Sequence, residues 1–244
     1  MSSAASDPGS IKVLVVDDQH LVRAGVRALI ESTPGMHVIG EASFGEEGVA
    51  RAARLRPDVV LMDIRMPGMD GITATERILA HHTSPLPRVL ILTGFDLDRY
   101  VHASLRAGAS GFLLKNGDPE RLTAAIQAVA HGDMYFTPSV SQRLVDHYVA
   151  QADLTSCLPG KLEALTTRER EILQLTARGL SNADMAEHLV ISETTVKSHL
   201  NRAMTKLALK SRAQAVVFAY ETGLVIPRSI PERVHEVHYP AAVE

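Results

Sequence analysis

The chain has 244 residues, of which 45% are hydrophobic and 22% are charged, and it carries a formal net charge of −3. This length is enough for two small domains or one large domain, and the slightly acidic balance excludes a chain that binds polyanions over its whole surface. The single cysteine, Cys157, excludes an intramolecular disulfide and fits a reducing compartment. No apolar run approaches the ~18 residues of a membrane span, and residues 1–10 lack the basic and apolar regions of a signal peptide. We therefore expect a cytoplasmic protein that has no membrane partner and begins with a disordered tail at residues 1–10.

The first half of the chain alternates short apolar runs with helical patterns. The apolar runs are Ile11–Val16, Met36–Gly40, Val59–Met62, Val89–Leu92 and Gly111–Leu114. The helical patterns cover His20–Glu31, Glu46–Leu55, Ile72–His81, Asp98–Ala107 and Asp118–His131. Short runs rich in Val, Ile and Leu indicate strands buried on both faces, and their alternation with helices indicates βαβ units. The sequence therefore predicts an α/β domain with a parallel (βα)5 sheet at residues 11–132.

The second half is purely helical beyond a linker at residues 133–163, in which one helix is predicted at Val140–Ala150. Thr166 and Glu169 have the spacing of a capping box, and the helix that they open runs to Gly179. The three helices that follow are Asn182–Leu189, Glu193–Ala208 after the cap Ser192, and one from the cap Ser211 to Thr222. This pattern predicts an all-α four-helix domain at residues 164–226, followed by a tail at residues 227–244.

Polar side chains follow four of the five predicted strands at the point where each strand ends. They are Asp17 and Asp18 after the first strand, Asp63 after the third, Thr93 after the fourth and Lys115 after the fifth. Because the carboxyl ends of parallel strands meet at one edge of a sheet, we expect these groups to converge. Three carboxylates, with a backbone carbonyl of Met62 or Arg65, suit a hard cation such as Mg²⁺, and one carboxylate is then placed to form an acyl phosphate. Each residue alone is more often a solvated loop or surface group, so the prediction rests on their convergence.

Four segments carry a resemblance to a known domain: Val15–Asp18, Leu61–Gly71, Leu92–Gly94 and Phe112–Lys115. Together they resemble the receiver domain of two-component response regulators, over Ile11–Gly132. The resemblance implies a flavodoxin-like fold with strand order 2-1-3-4-5. It further implies Asp63 as the phosphoacceptor and Asp17 and Asp18 as the Mg²⁺-binding pair, so that the predicted metal set is Asp17, Asp18, Asp63 and Arg65. It implies Thr93 as the switch hydroxyl, Lys115 as the amine that contacts the phosphoryl group, and Phe112, in place of the commoner Tyr, as the rotating aromatic.

The predicted helix Glu193–Ala208 has one apolar and one polar face. Its apolar side chains at helical spacing are Val196, Leu200, Ala203 and Leu207. The candidate DNA-binding side chains on and beside the polar face are Thr194, Lys197, Ser198, Asn201, Arg202 and Lys206. Between Ser192 and Arg212 there are five basic residues and one acidic residue, and such a helix suits the major groove. The helix by itself fits a solvated amphipathic surface equally well.

A second resemblance extends over Ala164–Leu224. It rests on Leu165–Leu173, Ala177–Ala186, Ile191–Leu200 and Lys206–Leu207, which resemble the LuxR-type helix-turn-helix domain. A receiver followed by this domain resembles the NarL/FixJ class of response regulators. The resemblance implies a sensor histidine kinase and double-stranded DNA as partners, a homodimer when phosphorylated, and a receiver that catalyses only its own phosphorylation and dephosphorylation. Asn201 stands where some relatives carry a basic residue, so the operator does not transfer from them.

Three alternatives remain open at this point. The protein is either phosphorylation-dependent or a DNA binder whose receiver responds to a ligand or protein, although the complete set of receiver residues argues against the latter. Its helical half binds either DNA or, as an interaction module, protein or RNA, and the basic face favours DNA. The apolar residues of the last helix, Ala213, Val216, Val217 and Tyr220, either form a dimer contact or close the core of their own domain.

Overall fold

The computed structural model describes residues 10–81, 85–94, 98–115, 118–136 and 162–225. The strands of the first half are β1 (Ile11–Val16), β2 (Met36–Ala42), β3 (Val59–Asp63), β4 (Arg88–Thr93), β5 (Gly111–Leu114) and β6 (Tyr135–Phe136). Its helices are α1 (His20–Glu31), α2 (Gly45–Leu55), α3 (Gly71–His81), α4 (Asp98–Ala107) and α5 (Pro119–Ala130). The strands form one parallel sheet in the order β2-β1-β3-β4-β5-β6, which confirms the flavodoxin-like order.

Helices cover both faces of this sheet. Alternate residues along β1 point to opposite faces: Val13 and Val15 pack with α1 and α5, whereas Leu14 and Val16 pack with α2, α3 and α4. All four side chains are at most 1% exposed. Burial on both faces explains why the central strands contain unbroken apolar runs such as Val13–Val16 and Val59–Met62 rather than alternating patterns.

Strand β6 extends the sheet beyond the five predicted strands. It pairs with β5 through Gly111 opposite Tyr135 and Phe112 opposite Phe136. Two residues are too short to produce a periodic pattern, so this part of the predicted linker gave no signal for a strand. The predicted helix at Val140–Ala150, the tail at residues 227–244 and residues 1–9 of the N-terminal tail lie outside the described residues.

The second half contains the four predicted helices, which are α6 (Thr167–Ala177), α7 (Asn182–Leu189), α8 (Glu193–Lys206) and α9 (Arg212–Glu221). Each N-terminus is capped by a side-chain hydroxyl that accepts the backbone N–H of the residue three positions later. The capping residues are, in the order of the helices, Thr166, Ser181, Ser192 and Ser211. The prediction that α8 extends to Ala208 was wrong by two residues: the helix ends at Lys206, and Ala208 has a φ of +55°, which is outside the right-handed helical region. The described residues contain no helix with the length and apolar character needed to cross a membrane.

Candidate functional site: an acidic cluster and a basic helix

Three carboxylates meet at the carboxyl edge of the sheet, as the sequence predicts. Asp17 and Asp18 follow β1, and Asp63 is the last residue of β3. Ligand atoms of the three side chains lie within 4.8 Å of one another. Asp17 and Asp63 are buried, whereas Asp18 is exposed, so the cluster opens to solvent on one side. This oxygen-only donor set fits a hard divalent cation, which also relieves the repulsion among the carboxylates.

The ammonium of Lys115 joins the two buried carboxylates. Its Nζ lies 2.7 Å from Asp17 Oδ2 and 2.9 Å from Asp63 Oδ2. Burial by itself lowers the pKa of Lys115, but hydrogen bonds with Asp17 and Asp63 outweigh it and raise the pKa overall. Burial raises the pKa of Asp63 in spite of this ammonium. One ammonium therefore faces three carboxylates, and the cluster can accept a further cation.

The turn after Asp63 requires a glycine. The backbone N–H of Gly71, at the start of α3, donates to the carbonyl of Ile64 over 2.9 Å. A Cβ on Gly71 would lie 1.9 Å from the carbonyl oxygen of Asp63. Glycine thus lets α3 begin directly against the strand that carries the candidate phosphoacceptor, a role that the sequence pattern alone did not reveal.

The remaining predicted receiver residues lie around this edge. Thr93, the last residue of β4, and Phe112 of β5 are each 1% exposed, so the aromatic ring lies inside the domain. The carbonyl of Thr93 accepts a hydrogen bond of 2.8 Å from the backbone N–H of Lys115, which joins the ends of β4 and β5. Arg65 is exposed on the loop after Asp63, and its carbonyl stays a predicted metal ligand.

The polar face of α8 is exposed and its apolar face is buried, as the periodicity predicts. The six predicted DNA-binding side chains are all exposed, namely Thr194, Lys197, Ser198, Asn201, Arg202 and Lys206. The four predicted core side chains are at most 8% exposed, namely Val196, Leu200, Ala203 and Leu207. Helices α7 and α8 are joined by three residues, which gives a helix-turn-helix arrangement.

Comparison with known proteins identifies both halves. Residues 13–127 match the family described as "Response regulator receiver domain", and residues 163–219 match "Bacterial regulatory proteins, luxR family". The chain is 41% identical to the uncharacterized transcriptional regulatory protein YxjL of Bacillus subtilis (strain 168), over 88% of this chain and 97% of YxjL. It is 40% identical to the transcriptional regulatory protein LiaR of the same strain, over 88% of this chain and 99% of LiaR.

A solved structure of RcsB from Salmonella enterica serovar Typhimurium is 26% identical, with a TM-score of 0.52, and the match covers 87% of this chain and 98% of that one. The chain belongs to the LuxR/NarL-type response regulators. Its α/β half is therefore a receiver domain, and its helical half is a LuxR-type DNA-binding domain of a two-component transcriptional regulator.

The DNA-binding domain of this response regulator is docked on its receiver through α9 and α4. Ala213 and Val217 of α9, which are 1% and 4% exposed, belong to the same apolar cluster as Leu105 of α4. The side-chain amide of Gln214 donates to the carbonyl of Arg106 over 2.7 Å. The apolar face of α9 therefore does more than close the core of its own domain, because part of it packs on the receiver. In this conformation that part is not available for a dimer contact.

A polar contact also joins the two domains. Asn182 Nδ2 donates to Asp133 Oδ1, which lies beyond α5 of the receiver, over 3.1 Å. Arg212 Nη1 donates to Asn182 Oδ1 over 2.7 Å and lies 3.7 Å from the same Asp133 oxygen. Burial lowers the pKa of Arg212, and Asp133 opposes that effect. Sequence reasoning missed this cluster because its members are distant in the chain.

Within the response regulator, Lys206 is held differently from the other predicted DNA-binding residues. Its Nζ lies 2.7 Å from Oε2 of Glu169, a carboxylate whose side chain is 4% exposed. The same oxygen accepts the backbone N–H of Thr166 in the capping box of α6. The hydrogen bond from Lys206, together with the backbone N–H of Thr166, lowers the pKa of Glu169 to about 2. Lys206 therefore ties α8 to α6, and its contact with DNA stays a prediction.

This ion pair predicts a pH-dependent stability. The pKa of Glu169 is depressed in the folded state. The stabilisation from its charge is therefore fully present above about pH 4.5 and is lost as the pH falls toward about 2. We expect Glu169→Gln, which can keep the capping box, to lower the free energy of unfolding by only about 1–2 kcal/mol at pH 7, because solvent screens the partly exposed Lys206. Urea unfolding of the full chain from pH 7 to pH 3 measures the difference. A difference that stays constant with pH would contradict the role of the charge.

Proposed function

We propose that this response regulator is a cytoplasmic transcription regulator whose Asp63 accepts a phosphoryl group from a sensor histidine kinase. The observation that carries the proposal is the cluster of three carboxylates with ligand atoms within 4.8 Å, beside the ammonium of Lys115. The carboxylates of Asp17, Asp18 and Asp63 and the carbonyl of Arg65 would hold Mg²⁺. When bound, this ion would neutralise the charge that develops on the oxygens of the transferred phosphoryl group.

The chain's own residues perform the transfer. A carboxylate oxygen of Asp63 forms a bond to phosphorus while the bond from phosphorus to the kinase imidazole breaks, which leaves the imidazole on the kinase. The ammonium of Lys115, 2.9 Å from Asp63 Oδ2, is close enough to contact the new phosphoryl oxygens. Water later hydrolyses the acyl phosphate, which releases inorganic phosphate and returns the carboxylate. The receiver thus acts on itself and turns over no separate substrate.

The position of α4 supports a route from the acidic cluster to the DNA-binding domain. This helix lies in the chain between Thr93 and Phe112, the two predicted switch residues, and it packs against α9. A phosphoryl group that draws Thr93 toward Asp63 would change the packing around Phe112 and α4. We expect this change to weaken the docking of α9.

Docking covers part of the face that dimerisation would use and places the polar face of α8 next to the receiver. Ala213 and Val217, half of the predicted dimer face, are buried against the receiver. Asn201 and Thr205 of α8 line a cleft of about 520 Å³ whose other wall includes Arg88 of the receiver. The docked form is therefore proposed to be inactive, and phosphorylation to favour a released homodimer on double-stranded DNA. The similar protein RcsB was solved bound to promoter P1flhDC in the presence of phosphomimetic BeF3⁻.

The test combines intact mass with DNA binding. The full chain is incubated with a small phosphodonor, with and without Mg²⁺, and a mapped duplex site is then titrated. We expect a mass gain of one phosphoryl group that requires Mg²⁺, a shift from monomer to dimer in sedimentation, and tighter duplex binding. Equal DNA affinity before and after the mass gain would support the alternative, a phosphorylation-independent DNA binder.

Two lysines on α8 provide a matched test of the DNA surface. Lys197 is exposed and makes no ion pair with the described residues, whereas Lys206 is paired with Glu169. We expect Lys197→Ala to lower the slope of log K against log salt by about 1 if it contacts a phosphate, or to cost about 1–3 kcal/mol on the specific site if it contacts a base. Lys206→Ala should instead lower the stability of the domain. An unchanged duplex affinity on a mapped site for folded Lys197→Ala would count against α8 as the reading helix.

A further inference from the structure

Arg23 is a buried cation beside the acidic cluster, and it has no role in the proposed phosphotransfer. It lies on α1, and its side chain is only 10% exposed. Its Nη1 donates to the backbone carbonyl of Asp17 over 2.7 Å. Its Nε lies 3.4 Å from Oε2 of Glu41, on β2, and Arg27 pairs with the other oxygen of the same carboxylate. A guanidinium in this place costs desolvation, which its contacts must offset.

The carbonyl that Arg23 contacts belongs to the peptide bond between Asp17 and Asp18. A hydrogen bond to this oxygen restrains the plane of that peptide, and therefore the direction of the exposed Asp18 carboxylate relative to the buried Asp17 carboxylate. Other contacts restrain Asp17 itself: its N–H donates to Ala42 over 3.1 Å, and its Oδ1 accepts from Gln19 over 2.9 Å. Among the described residues, Arg23 is thus the side chain that anchors the Asp17 carbonyl.

We infer that Arg23, held by Glu41, is a positioning residue that sets the Asp17–Asp18 peptide for Mg²⁺ binding. The inference rests on the proposed function, since it assigns the metal to this carboxylate cluster. Groups that orient metal ligands without touching the metal commonly change metal affinity by about 10–100-fold when they are removed.

The sign of the effect separates positioning from simple electrostatics. Arg23 places a positive charge near an anionic cluster, so removing that charge alone would strengthen cation binding. Removing the hydrogen bond frees the Asp17–Asp18 peptide and weakens cation binding. Arg27→Met is the matched control, because Arg27 also pairs with Glu41 but makes no contact with the Asp17 carbonyl.

The experiment measures Mg²⁺ binding to the unphosphorylated full chain by calorimetry. We expect Arg23→Met to weaken binding about tenfold, Arg27→Met to stay within about twofold of the original protein, and Arg23→Lys to be intermediate, because an ammonium lacks the planar fork. The Asp18 amide resonance of Arg23→Met should also shift without Mg²⁺. In phosphorylation assays, Arg23→Met should need a higher Mg²⁺ concentration for half-maximal phosphorylation. The phosphodonor concentration that gives half-maximal phosphorylation should stay unchanged.

Each outcome decides between the proposals. Mg²⁺ binding that is unchanged or tighter in folded Arg23→Met would overturn the positioning role and leave the proposed function standing. Failure of the unsubstituted protein to bind Mg²⁺ would overturn the proposed function itself. If Arg23→Met does not fold, Arg23→Lys and Glu41→Gln carry the same test, and affinities equal to that of the original protein in both would overturn the inference.

Discussion

Replacing Asp63 with Asn is expected to abolish phosphoryl transfer. An amide is a poor nucleophile, and it removes one of the three anions whose ligand atoms lie within 4.8 Å. The substitution should also remove the ion pair with Lys115, whose Nζ lies 2.9 Å from Asp63 Oδ2. Intact mass after incubation with a small phosphodonor and Mg²⁺ measures the result directly.

Asp70→Asn is the matched control for this substitution. Asp70 lies on the loop that follows Asp63, and its side chain accepts the backbone N–H groups of Ile72 and Thr73 at the start of α3. Asn caps helices about as well as Asp, so this variant should still gain one phosphoryl mass. A full mass gain in Asp63→Asn, located by fragmentation at another residue, would show that the phosphoacceptor had been assigned wrongly.

The second large effect concerns the docking of the two domains. Replacing Asp133 with Arg is expected to release the DNA-binding domain without phosphorylation. The new guanidinium would face Arg212, whose Nη1 now lies 3.7 Å from Asp133 Oδ1, and Asn182 would lose its acceptor. If these changes shift the docking equilibrium by about 1.4 kcal/mol, the released fraction and the apparent DNA affinity rise about tenfold while the docked form still predominates.

The core of the DNA-binding domain should survive this substitution. Arg212 keeps its hydrogen bonds to Asn182 and to the carbonyl of Leu180 within its own domain. Glu120→Arg, an equal change of charge at an exposed position of α5, is the control. It should leave the released fraction and the apparent DNA affinity unchanged. Sedimentation and duplex titration of the unphosphorylated proteins provide the measurements. An Asp133→Arg protein that stays monomeric and binds DNA like the original would show that docking is not inhibitory.

The sequence predicted the acidic cluster well because the cluster depends on local signals. The strands that carry the cluster end in unbroken apolar runs, so their ends are visible in the chain, and Asp17, Asp63 and Lys115 come at or directly after such an end. A parallel sheet then brings all strand ends of one sense to one edge. The hydroxyl caps of the four C-terminal helices are equally local, since each cap accepts the N–H of the residue three positions later.

Charges that pair over long distances in the chain were not predictable in this way. Lys206 reads as a free cation on a polar helix face, yet it binds Glu169, 37 residues earlier. Arg23 and Ile30, seven residues apart, are the two buried residues of α1. This helical spacing from an apolar residue indicates that Arg23 faces inward, but it does not identify the partner of Arg23. A periodic pattern reports which face a residue occupies but not which partner lies opposite.

The sequence by itself therefore determined the two domains, the order of their elements and the residues that end each strand, because burial and capping act over a few residues. Only the tertiary structure decided that Ala213 and Val217 pack on α4, that Asp133 meets Asn182 and Arg212, and that Arg23 anchors the Asp17 carbonyl. These contacts depend on how separate elements are arranged in space, where the free energy of burying a charge or an apolar face is set by groups distant in the chain.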